Sequence, residues 1–255
     1  MKECADEKII REYLSDDAKD IRIETVYIID STNDEMKRRA EKGEEEISLL
    51  VAEEQTHGRG TKGRSFFSPE GTGIYMSFLL RPTYTPQECT FLTTMAAVSC
   101  AKAIEKVAGA KLQIKWVNDL YLSGKKAGGI LTQAHLSKSG KEIEWAIVGI
   151  GINLSEPEGG FPDELKGIAT TLEKKDGQIK NRLISEIVNE FVFYYRSLTQ
   201  KEFIEEYSKR LLGLNEEITV KDGEEYKGTV IGIDDMCRLI IRLPDGGVKI
   251  LNSAL

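Results

Sequence analysis

"HGRGTKGR", residues 57–64, sets glycines at 58, 60 and 63 in the spacing G-x-G-x-x-G, and the fold turns on what flanks them. In a dinucleotide-binding turn a strand enters the glycines and a helix leaves them, its first amides holding a pyrophosphate. Upstream, "ISLLVAEEQT" (47–56) begins as an apolar run of strand length. Downstream, "RSFFSPEGTGIYMSFLLRP" (64–82) breaks any helical period with an aromatic pair, Ser-Pro and two glycines, and "IYMSFLL" (74–80) reads as a second strand. The loop therefore joins two strands, and the Rossmann reading fails. What remains is a segment whose glycines permit close approach of a ligand and which carries three cations, Arg59, Lys62 and Arg64. A basic turn that simply stays solvated has the same composition.

The 255 residues, 40% of them hydrophobic, suffice for one large domain or for a large and a small one. With 42 acidic and 35 basic residues the net charge is -7, which opposes general binding to a phosphate backbone, so no nucleic-acid partner is expected. Cys4, Cys89, Cys100 and Cys237 are scattered without a C-x-x-C, and His57 and His135 are the only histidines. Neither a disulfide framework nor a zinc site is indicated. The N-terminus "MKECADEKIIREYLSDD" has no signal-peptide core, and no apolar run reaches membrane-spanning length. The expectation is a soluble, cytoplasmic protein with no membrane partner.

"TVYII" (25–29) reads as a strand, and "DSTNDEMKRRAEKG" after it as a helix from about Asn33 to Gly43, opened by a Thr32/Glu35 capping box. A second box, Thr85 with Glu88 around Pro86, predicts a long helix ending near Gly109. "KLQIKWVNDLYLSGKKAGGILTQAHL" and "EIEWAIVGIGINL" are β-rich, with hairpin turns at Ser-Gly and Ser-Lys-Ser-Gly, and are expected to be the central strands of a sheet. Helical stretches follow at about 178–197 and 200–211. From Asn215 onward, short alternating runs broken by Asp-Gly, Asp-Asp and Asp-Gly-Gly predict a β-barrel of four or five strands. The expected division is 1–213 and 214–255.

Four segments put polar residues or glycines where a sheet needs only packing: "DSTND" (30–34), "EQTHGRGTKGR" (54–64), "KWVNDLYLSGKKAGGIL" (115–131) and "GIGINL" (149–154). Singly, each has a structural explanation. Ser31 and Thr32 suit helix caps, Asn118 and Asp119 suit turns, Lys125 and Lys126 an exposed hairpin tip, and Gly149 and Gly151 a bulge.

Together, in that order, the segments resemble the biotin protein ligases, which attach biotin to a lysine of carboxylase carrier domains. The resemblance covers nearly the whole chain and rests on G-R-G-x-x-G-R at 58–64 and on K-W-x-N-D at 115–119 followed by lysine and glycine. It implies an α/β catalytic domain like that of class II aminoacyl-tRNA synthetases, with a mixed sheet and packed helices, plus a small C-terminal β-barrel. It also implies ATP and biotin as substrates, Mg2+ as cofactor with ligands unassigned, and a biotin carboxyl carrier protein domain as partner. Arg59 and Lys126 are then the catalytic cations between biotin carboxylate and α-phosphate. Ser31, Thr32, Asn33, Gln55, Gly58, Gly60, Phe66, Gly129 and Ile152, with Arg59 and Lys126, would form the biotin site, and Ile130 would add to its apolar wall. Lys115, Asn118 and Asn153, again with Arg59 and Lys126, would serve the nucleotide. Residues 58–66 are expected to order over the adenylate and exclude water.

The chain departs from the family pattern at Thr61, where arginine is frequent, at Phe66, where tryptophan is common, and at Val117, where proline is usual. The end at "ILNSAL" reads as short of the family terminus. About 24 residues precede the first catalytic strand, too few for a winged helix-turn-helix, so a monofunctional ligase is expected rather than a repressor. Two further readings are a lipoate ligase, for which Ser31, Thr32 and Gln55 are too polar a set, and an inactive binding module, which would not need Arg59, Lys115 and Lys126 together. A homodimer through sheet edges is open.

Overall fold

The computed structural model describes residues 3–45, 47–172, 179–197, 201–222 and 224–251. A short helix α1 (Glu7–Glu12), capped by the Asp6 side chain, leads into strand β1 (Arg22–Ile29). Helix α2 (Thr32–Glu41) carries the chain over to β2 (Ser48–Gln55), which runs parallel to β1. Among the described residues the other strands of the two sheets pair antiparallel. With β3 (Gly73–Leu80), β4 (Gln113–Lys115), β5 (Asp119–Leu122), β6 (Lys125–Leu136) and β7 (Ile143–Asn153), the mixed sheet has the order β1-β2-β3-β7-β6-β5-β4.

The segments expected at the centre thus divide. β7 is central beside β3, whereas β4 and β5 close one edge. All eight residues of β3 are buried, which is why "GIYMSFLL" reads as a nearly continuous apolar run. Alternate side chains serve two layers. Leu50, Leu79 and Ile147 pack with Met36 and Ala40 of α2 on one face. Leu49, Val51, Phe78 and Val148 face the opposite layer, formed by α3 (Cys89–Ala108), α4 (Ile179–Arg196) and α5 (Glu202–Lys209). Phe78 stacks on Phe191 of α4 with centroids 4.6 Å apart.

Cap chemistry explains the helix limits. The Thr85/Glu88 box forms, but over a 3-10 turn at Pro86–Glu88 that precedes α3, and α3 stops at Gly109 in the left-handed region (φ 68). At α2 the expectation is corrected: Ser31, not Thr32, is the N-cap and accepts from the Asp34 amide at 3.4 Å. The helices expected at about 178–197 and 200–211 start at positions 178 and 200, which lie outside the described residues.

At the C-terminus β8 (Glu217–Asp222), β9 (Glu224–Ile233), β10 (Leu239–Arg242) and β11 (Val248–Leu251) form a four-stranded antiparallel sheet in the order β11-β10-β9-β8. The barrel expectation is corrected to an open sheet: among the described residues β8 and β11 are its two edges and do not pair. Val220, Val230, Leu239 and Ile241 extend the core of the α3 and α4 layer, and Trp116 Nε1 donates to the Cys237 carbonyl at 2.8 Å. The short ending at 252–255 lies outside the described residues. Among the described residues no helix is long and apolar enough to cross a membrane.

Candidate functional site

A cleft of about 450 Å³, counting its open mouth, lies where the start of α2, the end of β2, the 58–66 loop and the strands β6 and β7 converge. Its closed end is polar because Ser31, Thr32 and Asn33, 1%, 3% and 4% exposed, are buried yet not apolar. Each is committed to partners, as burial demands. Thr32 donates its amide to Gln55 Oε1 at 2.9 Å, and its hydroxyl oxygen lies 3.1 Å from the same atom. Gln55 Nε2 donates to Ser68 Oγ at 3.0 Å, and Ser68 in turn to the Phe66 carbonyl at 2.9 Å, which fixes the Gln55 amide. Asn33 Nδ2 donates to Gln133 Oε1 at 3.0 Å and to the Leu131 carbonyl at 3.3 Å.

The loop that opened the sequence reading is a hairpin closed by its own backbone, with Gly60 N–H to Arg64 C=O at 2.7 Å and Phe66 N–H to Gly58 C=O at 2.9 Å. Gly58 is required by proximity, since a Cβ there would lie 2.4 Å from the Phe66 carbonyl oxygen. Gly149 and Gly151 are likewise not a bulge, for β7 keeps its register past both. A Cβ at Gly149 would meet Asn33 Oδ1 at 2.0 Å, and one at Gly151 would meet the Phe66 ring at 2.6 Å. The two glycines seat those side chains. Phe66 also meets Tyr75 edge-on at 6.3 Å. Burial pushes the Tyr75 phenol above its ordinary pKa, so it stays a neutral partner of Thr72 Oγ1 and the Pro69 carbonyl.

Two cations stand at the mouth, each beside a carboxylate. Arg59 Nε donates to Asp34 Oδ2 at 2.8 Å, and Lys126 Nζ to Asp119 Oδ1 at 2.5 Å. Lys126 is no exposed hairpin tip. It is half-buried, and its backbone bridges to Ala169 through bonds with Ile168 and Thr170. Beyond that bridge a second cleft of about 860 Å³ is lined by Lys125, Glu156, Phe161, Lys166 and Thr170, among others.

The first cleft brings together Ser31, Thr32, Asn33, Gln55, Arg59, Gly60, Phe66, Asn118, Lys126, Gly129 and Ile130. It does not include Gly58, which shapes the loop behind it, or Ile152, fully buried in the core. The apolar wall at that strand is Ile150, two residues earlier, which with Met76 and Leu131 the sequence did not single out; Thr61, a departure from the family pattern, also lines the cleft. Lys115 sits outside too, exposed at the end of β4 with Nζ 5.9 Å from the Tyr121 ring. Asn153 turns to the Thr170 carbonyl at 3.1 Å, on the side of the second cleft. Asn118 donates to the Ile130 carbonyl at 2.9 Å and ties the K-W-V-N-D segment to β6.

Three kinds of comparison place the chain among known proteins. The chain matches the Biotin/lipoate A/B protein ligase family over residues 25–153 and the Biotin protein ligase C terminal domain over 213–254. It is 36% identical over 234 residues to the bifunctional ligase/repressor BirA of Bacillus subtilis, covering 89% of this chain and 71% of that protein. It is 31% identical over 226 residues to a biotin--[acetyl-CoA-carboxylase] ligase of Paracoccus denitrificans, covering 85% and 92%. A biotin protein ligase of Aquifex aeolicus, solved in complex with biotin and ATP, superposes with a TM-score of 0.76 at 29% identity, covering 91% of this chain and 96% of that one. The chain is a member of the biotin/lipoate A/B protein ligase family.

Proposed function

We propose that this protein joins biotin to ATP, forming biotinyl-5'-AMP and releasing pyrophosphate, and then transfers the biotinyl group to a lysine of a biotin carboxyl carrier domain. The observation that carries this reading is the cleft itself: a buried polar end, an apolar wall, and two cations from different elements at the mouth. In the first step a biotin carboxylate oxygen forms a bond to the α-phosphorus and the bond to the pyrophosphate oxygen breaks. Two anions must meet, so fixed cations that offset their repulsion and hold the charge growing on phosphorus are the main requirement. Arg59 and Lys126 fill that role, exchanging their contacts with Asp34 and Asp119 for the incoming anions. In the second step the neutral lysine amine attacks the acyl carbon and AMP leaves with the electron pair.

Ser31, Thr32, Asn33 and Gln55 suit a ureido ring, whose polar atoms must all be paired once buried. Phe66, Ile130 and Gly129 bound the apolar part of the ligand, with Gly58 and Gly60 shaping the loop over it. Ile152 acts only through the core behind them. Asn118 and Asn153 lead toward the second cleft, which we assign to the nucleotide together with Lys115. Magnesium would enter with the nucleotide phosphates, because among the described residues no cluster of three His, Cys, Asp or Glu could hold it.

The same proposal includes the class II aminoacyl-tRNA synthetase-like fold that the family resemblance implies, and a division of the chain at Gly213. A homodimer would use a sheet edge, such as the part of β6 beyond Gly129 that β5 leaves unpaired, and sedimentation at increasing concentration tests it. For the central reading, the protein is incubated with biotin, ATP and magnesium, desalted, denatured and assayed by mass spectrometry. Biotinyl-5'-AMP is expected, with a carrier-domain lysine gaining the biotinyl mass on mixing. Recovery of the lipoyl adenylate instead, or of neither, would refute it.

A further inference from the structure

Asn33 lines the cleft at 4% exposure, and its amide is held from both ends. At the oxygen, the Ser77 hydroxyl donates to Asn33 Oδ1 and to Thr32 Oγ1, each at 2.7 Å, and Thr32 Oγ1 donates in turn to Gln55 Oε1 at 3.1 Å. At the nitrogen, Asn33 Nδ2 donates to Gln133 Oε1 at 3.0 Å and to the Leu131 carbonyl at 3.3 Å. An amide nitrogen has two hydrogens and accepts nothing. Both Asn33 hydrogens are therefore given to β6, and the oxygen is turned to Ser77. A chain of hydrogen bonds runs from Gln133 through Asn33, Ser77 and Thr32 to Gln55.

Of these residues Gln133 alone is exposed. It stands outside the lining of the cleft, on the part of β6 beyond Gly129 that β5 leaves unpaired. A strand side chain that faces solvent usually contributes little. Here it ends a buried network, and its being an acceptor decides which way the Asn33 amide points. Turned over, that amide would set its oxygen against two acceptors, which a buried network does not tolerate.

We propose that Gln133 is a positioning residue for the acid substrate. Acting as an acceptor from outside the cleft, it fixes the Asn33 amide and, through Ser77, the Thr32–Gln55 pair at the polar end. The inference rests on the biotin reading and deepens it, because a ureido ring is held by hydrogen bonds whose direction matters. Gly149 belongs to the same device, since its missing side chain leaves room for the Asn33 amide.

The test is ATP–pyrophosphate exchange by the full chain, with biotin as the acid and position 133 varied. Gln133→Glu keeps an acceptor oxygen and is expected to leave the KM for biotin within about twofold of wild type. Gln133→Lys offers only donors and is expected to raise it at least about fivefold, with kcat and the KM for ATP within about twofold of wild type. Both variants are expected to fold, because the position is exposed, and a melting curve of each checks this. The same KM for biotin in the two variants overturns the inference. So does a KM for ATP that moves in step with that for biotin, since added surface charge would then account for both. Absence of exchange with biotin in wild type would instead overturn the reading on which it rests.

Discussion

A methyl group at Gly149 would lie 2.0 Å from Asn33 Oδ1 and 2.8 Å from Asn33 Cγ, too close for either to remain. Gly149→Ala is therefore expected to displace the Asn33 amide and raise the KM for biotin by about a hundredfold, the cost of misplacing a site group by about an ångström. The cations at the mouth differ from it in kind. Lys126→Ala or Arg59→Ala leaves the polar end intact and is expected to lower kcat of exchange by about a hundredfold or more, with melting temperature little changed. A fall in KM affinity alone would place these side chains in binding and not in the transition state. The loop was legible: glycines and cations stand between two strand-like runs, and the segment does join β2 to β3. The purpose of Gly149 was not, because it answers a side chain more than a hundred positions away in the chain, to which a local pattern is blind.

Helix α2 delivers the polar end of the cleft, so its anchorage is the element-scale question. Arg38 binds Asp30 with both guanidinium nitrogens, at 2.8 and 2.9 Å, and reaches Glu35 at 2.8 Å. The hydrogen bonds from Arg38 lower the Asp30 carboxyl to about 2 against an unfolded value near 3.8. A depressed carboxyl stabilises the fold fully above its unfolded pKa and ceases to do so as pH falls through its folded one. The pair is nearly half exposed, so the effect is a fraction of what the shift alone would imply. Asp30→Asn is expected to lower the melting temperature at pH 6, with the difference shrinking steadily from about pH 4 down to pH 2, which a melting series across that range checks. The capping sequence foretold the helix but assigned its cap one residue late. Thr32 looks as good a cap as Ser31 in sequence, and only its engagement by Gln55 and Ser77 removes it from that duty. Likewise alternation revealed the C-terminal strands, but whether β8 meets β11 depends on edges that periodicity does not specify.

Across the whole molecule, the segment before β1 is fastened to the sheet and to α4 by buried charge. Lys180 and Glu53, 5% and 4% exposed, pair at 2.6 Å, and Glu53 also accepts the Ala5 amide. Glu3 takes the Lys180 amide at 2.8 Å and Asn181 Nδ2 at 2.7 Å. Removing one partner strands a buried charge, so Lys180→Ala is expected to cost about 3–5 kcal/mol in urea unfolding, while Glu53→Leu with Lys180→Met together should recover most of it. Equal losses in the single and double variants would mean that packing, not charge, holds the segment. This network was invisible in sequence, since neither residue belongs to a motif and the two are joined only by the fold. The central proposal is adenylate formation in the cleft beneath Arg59 and Lys126. ATP–pyrophosphate exchange by the purified protein with magnesium measures it, comparing biotin, lipoate and no acid. Label is expected to pass from pyrophosphate into ATP with biotin alone; exchange with lipoate, or with neither acid, would contradict it.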